Sequence, residues 1–519
     1  MPYNLIEEPW LPVTYVGELE RREVGLRTAL HDAHRIRELA DPSPLVTVAL
    51  HRLLLAILHR VFGPSTAERW RELWEEREFD RSDIDAYLDP DRFDLFHPER
   101  PFYQTPGIPE HVATTVAKLG PEFAAGNNPV LFDHSLDDEP PSLSPAEAAR
   151  RLVALQAFAI GGLVTRLPGE PSAADASHLV KAAVVLVRGS TLFETLMLNL
   201  VRLDGRMKAP FDFDPARDRP AWERDETTAF TDRRLDGYLD LLTWQSRRVL
   251  LFPEGSPPRV RRAAILGGYQ FPADYFLDDK ETMVAYRRRA TAKAADEPLV
   301  PVGFTRGRAL WRDTLSLLAD VDDGERPQVV RWLTGPHAPR KRVFELAAFG
   351  LATDRAKVHL WRRDELPLPV AYLSDRDLVQ VLRRGVDLAE DVGRLLRGAV
   401  RRMAALALTP DGDADRDRLD NLVNSLGAEG AYWPNLDVPF RRFMRELPDG
   451  VADDAGLAAR VRWAADIRRA AMESFEFAAS AVESAGRGWR AAAQARPAFL
   501  GRLRQLLEEF APSTEEVPV

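Results

Sequence analysis

The sequence predicts an α+β protein with two parts: a large, mixed and mostly helical N-terminal domain with small sheets (residues 1–368) and a C-terminal four-helix bundle (residues 369–519). Three observations support this prediction. The chain has 519 residues, too many for one compact core, because typical domains have about 100–200 residues. Its first part alternates helical patterns with short extended and proline-rich pieces. Beyond residues 366–369, long amphipathic patterns follow one another with only short polar breaks.

The first N-terminal elements follow from local signals. Residues 3–26 contain β-type residues around turns and predict short extended pieces. Ser43 suits the N-cap of a strong helix, Pro44 suits its first turn, and Gly63 follows its end. A second helix is predicted over residues 65–77.

The next helix is predicted to begin at Ser144 and Pro145 and to end at the pair Gly161-Gly162. The glycine pair has a second interpretation, because a backbone without side chains can approach a ligand closely. Further helices are predicted over residues 192–201, 306–320 and 326–334.

The bundle is predicted from four amphipathic segments, which cover residues 377–408, 415–447, 453–484 and 489–510. The breaks between them are short and polar, which is typical of antiparallel neighbouring helices.

The composition indicates a globular protein without cysteine chemistry. No cysteine is present, which excludes disulfides, thiolate zinc sites and cysteine nucleophiles and fits a reducing cytoplasm. The longest apolar stretch, LVTVALHRLLLAIL, is interrupted by His51 and Arg52, and the acidic, proline-containing N-terminus does not match a secretory signal. We therefore expect a soluble cytoplasmic protein without a membrane partner.

Charge is distributed unevenly along the chain. The net charge is −10, but residues 246–365 carry 22 Lys and Arg against 16 Asp and Glu, which leaves −16 for the rest. Arg287, Arg288 and Arg289 lie in this region and are candidate phosphate contacts. An ordinary charged surface would have the same composition.

The sequence motifs give one catalytic candidate. The phosphate-binding patterns GxxxxGK[ST] and GxGxxG and the zinc pattern HExxH are missing, so no cofactor or metal site is expected. The cluster HDAH begins at His31, and His51 and His59 follow it. Together with Asp32 and His34 they suggest an alternative function, a metal-dependent phosphohydrolase of the HD type. The competing interpretation of HDAH is a solvated helix end.

Residues 123–145, FAAGNNPVLFDHSLDDEPPSLSP, lack both helical and strand periodicity. This predicted loop nevertheless carries three bulky apolar residues, Val130, Leu131 and Phe132. Such a group makes physical sense when it is buried in a partner, and the alternative is that it folds back onto its own domain.

Several segments together resemble one family. NLIEEPWLPV, SPLVTVALHRLLLAILHRVFG, HPERPFYQTPG and VRGSTLFETLMLNLV are similar, in order and spacing, to the large subunit of type I-E CRISPR surveillance complexes (Cascade), the CasA family. The C-terminal helical pattern also resembles that family.

The resemblance implies a subunit that is not an enzyme. Its expected partners are CRISPR RNA, target double-stranded DNA, the backbone, handle-gripping and small subunits of Cascade, and a recruited helicase-nuclease. Its expected task is to recognise the protospacer-adjacent motif (PAM) in duplex DNA and to promote strand separation and R-loop formation, while RNA pairing reads the sequence.

The resemblance also implies roles for particular residues. Gly161 and Gly162 correspond to a glycine loop at the minor groove, Lys280 to a lysine finger, and Arg355 with Ala356 to a wedge that splits the first base pairs. A loop that contacts the CRISPR RNA handle and its neighbouring subunit corresponds to Val130, Leu131, Phe132, Asp133 and His134.

Overall fold

The computed structural model of the chain describes residues 2–64, 66–120, 141–201, 216–224, 228–278, 280–289, 297–305, 307–320, 324–335, 343–354, 357–409, 414–450, 454–483 and 487–511. Contacts between Cα atoms divide the chain into two compact units. Unit 1 comprises Met1–Arg306, Asp320–Pro339 and Glu345–Glu365, and unit 2 comprises Gly307–Ala319, Arg340–Phe344 and Leu366–Val519.

The α-helices described before the bundle are mostly short, with α2 the longest of them. They are α1 (Leu26–His31), α2 (Pro44–Val61), α3 (Ala67–Glu76), α4 (Arg81–Tyr87), α5 (Pro145–Phe158), α6 (Leu192–Asn199), α7 (Tyr238–Leu242), α8 (Thr314–Leu318) and α9 (Gln328–Trp332).

The strands form several small sheets. They are β1 (Leu11–Tyr15), β2 (Arg21–Val24), β3 (Ile36–Leu39), β4 (Thr114–Thr115), β5 (Gly162–Leu163), β6 (Ala173–Ala174), β7 (Val184–Arg188), β8 (Arg247–Glu254), β9 (Arg259–Gly267), β10 (Tyr286–Arg287), β11 (Val300–Pro301), β12 (Val343–Asp354) and β13 (Lys357–Pro369). In the described part of the chain, three sheets have three strands, in the orders β2-β1-β3, β4-β9-β8 and β13-β12-β7, and β5-β6 and β10-β11 form two-stranded sheets.

Helix α2 is the central helix of unit 1. It starts as predicted, because the Ser43 side chain accepts a hydrogen bond from the Val46 amide and Pro44 is the first helical residue. All its residues from Leu45 to His59 are buried, and it contacts α5, α6 and α7. By length and composition alone α2 could cross a membrane, but its apolar surface is covered by the rest of unit 1.

Unit 2 is built around four long helices, α10 (Arg376–Leu408), α12 (Ala428–Glu446), α13 (Asp454–Glu483) and α14 (Gly488–Phe510), with the short α11 (Arg416–Ser425) against α10. The long helices contact one another in a C-terminal bundle, so the predicted α+β fold class with a helical bundle is confirmed. Trp311, from the segment that precedes α8, stacks on Phe440 at 4.5 Å between ring centroids and meets Trp463 edge-on at 6.2 Å.

Four predicted helices differ from the structure. Residues 415–447 form two helices instead of one, because Gly427 adopts a left-handed conformation with φ of +64° between α11 and α12. The segments 306–320 and 326–334 contain only the five-residue helices α8 and α9. Helix α5 has the predicted Ser144 capping box with Glu147, but it ends at Phe158.

Candidate nucleic-acid interface

The glycine pair opens a small hairpin, which we call the glycine hairpin (residues 161–176). Its arms are β5 and β6, with Gly162 opposite Ala174. A side chain on Gly161 would place its Cβ 2.7 Å from the Ala176 backbone nitrogen, and Gly162 has φ of +135°, a conformation that L side chains rarely adopt. The interpretation of the pair as a helix C-cap is therefore wrong, since the cap of α5 is Ala159 and the glycines belong to the hairpin.

Two arginines at the start of β8 hold the glycine hairpin. Arg247 donates hydrogen bonds from Nη2 to the carbonyl oxygens of Ile160 (2.9 Å) and Asp175 (2.8 Å), one on each side of the base of the hairpin. Burial lowers the pKa of Arg247 to about 10, so the guanidinium remains charged at neutral pH. Arg248 donates to Glu170 Oε1 at 2.7 Å, nearer the tip. These hydrogen bonds attach the glycine hairpin to strand β8. The Leu163 side chain of the hairpin is 90% exposed.

Lys280 ends a second loop, which we call the lysine loop (residues 271–280). The ammonium nitrogen lies 5.0 Å from the centroid of the Tyr275 ring, a cation–π distance. Tyr275 stacks on Phe271 at 5.8 Å, and Phe271 stacks on Trp244 at 4.2 Å. A column of aromatic rings therefore runs from the core of unit 1 to Lys280.

The glycine hairpin and the lysine loop share a base. The amide of Asp175 donates to Gln270 Oε1 at 2.6 Å, which joins the end of the hairpin to the start of the loop. Just beyond the hairpin, His178 Nε2 lies 3.4 Å from Glu281 Oε2, and Glu281 directly follows Lys280. The structure thus places Gly161, Gly162 and Lys280 on two loops with a common base.

The other predicted nucleic-acid residues are less fully described. Arg287 lies in β10, which pairs with β11, and both Arg287 and Arg289 are exposed, whereas Arg288 is half-buried. Arg355 and Ala356 stand between β12 and β13 and lie outside the described residues, as does the segment Val130, Leu131, Phe132, Asp133 and His134. The roles assigned to all the predicted nucleic-acid residues, those of the glycine pair and Lys280 included, stay predictions.

The structure gives the residues of the phosphohydrolase alternative separate partners. His51 is buried, and its Nδ1 lies 2.8 Å from the Thr47 carbonyl oxygen within the same helix. His59 is buried against the edge of the Tyr238 ring. His31 lies 3.3 Å from Asp85, and His34 lies 3.8 Å from Glu78. Within the described ranges, no group of three or more His, Cys, Asp and Glu side chains is arranged to hold a metal ion.

Asp32, the fifth residue of the phosphohydrolase alternative, also has a separate partner. Its carboxylate accepts a hydrogen bond from the Tyr15 hydroxyl at 3.4 Å. Burial lowers the pKa of His51 to about 4 and that of His59 to about 3, so both imidazoles are neutral in the core at physiological pH. The histidines on α2 are therefore core residues.

Comparisons with known proteins show what the whole chain is similar to. The family model described as CRISPR-associated protein Cse1 matches residues 4–474. A curated relative from Thermus thermophilus, CRISPR-associated protein CasA/Cse1, is 34% identical over 534 residues, with 98% of each chain covered. The crystal structure of Cse1 from Acidimicrobium ferrooxidans superposes with a TM-score of 0.82 at 27% identity, over 99% of each chain.

A chain from a structure described as a CRISPR RNA-guided surveillance complex has the same fold, with a TM-score of 0.76 at 22% identity over 96% of this chain and 99% of that one. The match of the family model over most of the sequence, together with a full-length relative above 30% identity, establishes the family. This chain belongs to the Cse1 (CasA) family of CRISPR-associated proteins.

Proposed function

We propose that this chain is the large, non-catalytic subunit of a CRISPR RNA-guided surveillance complex and that it recognises a protospacer-adjacent motif in duplex DNA. The observation that carries the proposal is that the glycine hairpin and the lysine loop lie side by side, joined by the hydrogen bond between Asp175 and Gln270. The relatives support it, because one is named CasA/Cse1 and a chain of the same fold comes from a surveillance complex.

The two loops offer complementary chemistry for a minor groove. Gly161 lets the two arms of the hairpin lie close together, and the exposed Gly162 has open space where a Cβ would stand, which allows its backbone a close approach to a groove about 6 Å wide. Lys280 supplies a cation for acceptors on base edges or for phosphates. A minor groove shows a degenerate pattern of acceptors, so this subunit would accept a family of related motifs.

Strand separation is the second part of the proposal. Unstacking costs a few kcal/mol per base step, and new protein contacts must offset it. By resemblance, Arg355 and Ala356 would supply the wedge between the ends of β12 and β13, and exposed Arg287 and Arg289 would contact phosphates. Residues 130–134 would contact the CRISPR RNA handle and the neighbouring subunit. The chain would then help to recruit a separate helicase-nuclease, which performs the cleavage.

The proposal is tested by replacing Lys280 in the assembled complex. Lys280→Ala should weaken binding of motif-bearing duplex by about tenfold, as expected for the loss of roughly 1.4 kcal/mol. Binding of a single-stranded target should not change, because guide pairing needs no motif recognition. The matched control is Lys118→Ala, which removes an exposed lysine from a different turn of unit 1. Equal duplex affinities of the two variants, measured by titration with labelled DNA, would rule out the role of Lys280.

A further inference from the structure

Three buried polar side chains meet next to the ends of the two loops. Arg52 on α2 donates two hydrogen bonds to Glu281, from Nη1 to Oε1 at 2.9 Å and from Nη2 to Oε2 at 3.0 Å. His178 Nε2 lies 3.4 Å from the same Oε2. The side chains of Arg52, Glu281 and His178 are 2%, 1% and 5% exposed, so all three are withdrawn from water.

These residues come from three separate parts of the sequence. Arg52 lies in the middle of the central helix, His178 comes two residues after the glycine hairpin, and Glu281 immediately follows Lys280. The Glu281 carboxylate also accepts a hydrogen bond from the Met283 amide at 3.1 Å, and the Glu281 amide donates to the Leu277 carbonyl at 2.9 Å. The Glu281 carboxylate thus contacts the core while its backbone closes the lysine loop.

Stability alone does not account for these charges in the core. Removing two charges from water is costly, and well-packed apolar residues of similar size are often at least as stabilising. What a bidentate arginine–carboxylate pair adds is direction, because two parallel hydrogen bonds fix both groups in one orientation. The pair therefore suits a site where a loop must be held at a defined position.

We propose that Arg52, Glu281 and His178 form a clamp that holds the lysine loop and the glycine hairpin as one preorganised unit for duplex DNA. The three are positioning residues, and their role rests on the proposed function of Lys280. Ordering a backbone on binding costs conformational entropy for every residue that becomes fixed. A clamp that orders both loops beforehand lets the contacts of Lys280 contribute fully to affinity.

The test compares Lys280→Ala in two backgrounds of the assembled complex. The double variant Arg52→Met with Glu281→Gln removes both charges together, so it avoids a lone buried charge. We expect it to weaken motif-bearing duplex binding by about tenfold, equivalent to 1.4 kcal/mol, and to reduce the additional effect of Lys280→Ala to less than about twofold. Arg52→Lys keeps the charge without the bidentate contact and should show an intermediate loss.

The matched control is the pair Arg60→Met with Glu223→Gln. It removes a second arginine–carboxylate pair, in which Arg60 of α2 places its Nη2 atom 2.9 Å from Oε2 of Glu223. The control should lose stability, yet Lys280→Ala should keep its full effect in that background. Hydrogen exchange of the free chain gives an independent measurement: the amides of Lys280 and Glu281 should exchange faster in the clamp variant and not in the control.

The outcomes separate the two hypotheses. If Lys280→Ala costs the same factor in the clamp variant as in the unaltered chain, the clamp is overturned while the proposed function stands. If Lys280→Ala has no effect in the unaltered chain, the proposed function fails and the clamp fails with it. Unchanged amide hydrogen exchange at Lys280 and Glu281 in the clamp variant also counts against the clamp. This measurement uses the free chain, so it decides the question even when the variant does not assemble into the complex.

Discussion

Adding one methyl group at Gly161 should disable duplex recognition without unfolding the protein. The Cβ of an alanine would lie 2.7 Å from the Ala176 nitrogen, 3.2 Å from the Asp175 carbonyl carbon and 3.3 Å from the Ala176 Cα. All three are backbone atoms, so no side chain can rotate away. Ordinary Cβ contacts begin at 3.4 Å, and the two arms of the hairpin must therefore separate by about 0.7 Å at this point.

The energetic cost follows from that displacement. Overpacking of this kind costs about 1–3 kcal/mol of folding stability. It also moves the base of the hairpin away from the Arg247 hydrogen bonds to Ile160 and Asp175, which depend on both arms. We expect motif-bearing duplex affinity to fall at least tenfold in the assembled complex.

The control variant is Gly17→Ala, in the turn between β1 and β2. Gly17 has φ of +80°, and a Cβ added there would meet nothing within 4 Å, so alanine costs about 1–2 kcal/mol of conformational strain without a collision. The assay measures the urea unfolding midpoint of each free chain and the duplex affinity of each complex. The proposed site is supported if both variants lose similar stability and only Gly161→Ala loses duplex binding. Equal duplex affinities of the Gly161→Ala and Gly17→Ala complexes would refute this reasoning.

Two further predictions concern stability. The pKa of buried His59 is lowered from 6.5 to about 3. As pH falls below about 6.5, His59 therefore binds a proton in the unfolded chain but not in the folded one, and the folded state loses stability relative to the unfolded state. His59→Phe should therefore reduce the loss of unfolding free energy between pH 7 and pH 5 by about 2 kcal/mol, and an unchanged pH slope in urea titrations would contradict this. In α10, Gly385→Ala would bring a Cβ within 2.6 Å of Phe443 Cε1 and should lower the bundle's stability by about 1–3 kcal/mol, whereas Gly398→Ala meets nothing within 4 Å and should raise it by up to about 1 kcal/mol. Thermal unfolding distinguishes the pair, and the same sign of change in both would exclude the packing argument.

Local signals in the sequence were sufficient for the helix starts. The caps at Ser43 and Ser144 have the hydrogen bonds that the sequence predicts, because capping depends on residues only three positions apart. Helix ends were harder to predict. Phe158 ends α5 three residues before the glycine pair, and Gly427 interrupts a pattern whose apolar spacing continues across the break.

The candidate site could be predicted only in part. The family resemblance indicated the glycine pair and Lys280, but nothing in the local sequence relates Arg52 to Glu281, which are 229 positions apart. One signal was available: an arginine in the middle of a mostly apolar helix needs a buried partner. The identity of that partner depends on tertiary contacts, which periodicity and composition do not encode.

The path of the chain through unit 2 limits how the protein can be divided. Gly307–Ala319 belongs to unit 2 although it precedes the long helices by more than fifty residues. Trp311 is 1% exposed there, and burial of a tryptophan side chain of about 200 Å² contributes roughly 5 kcal/mol. A fragment that begins at residue 369 would lack this tryptophan and leave Phe440 and Trp463 uncovered. The C-terminal helices consequently cannot be separated as an independent domain at residue 369. A chimera that exchanges them between homologues would have to exchange Gly307–Ala319 as well.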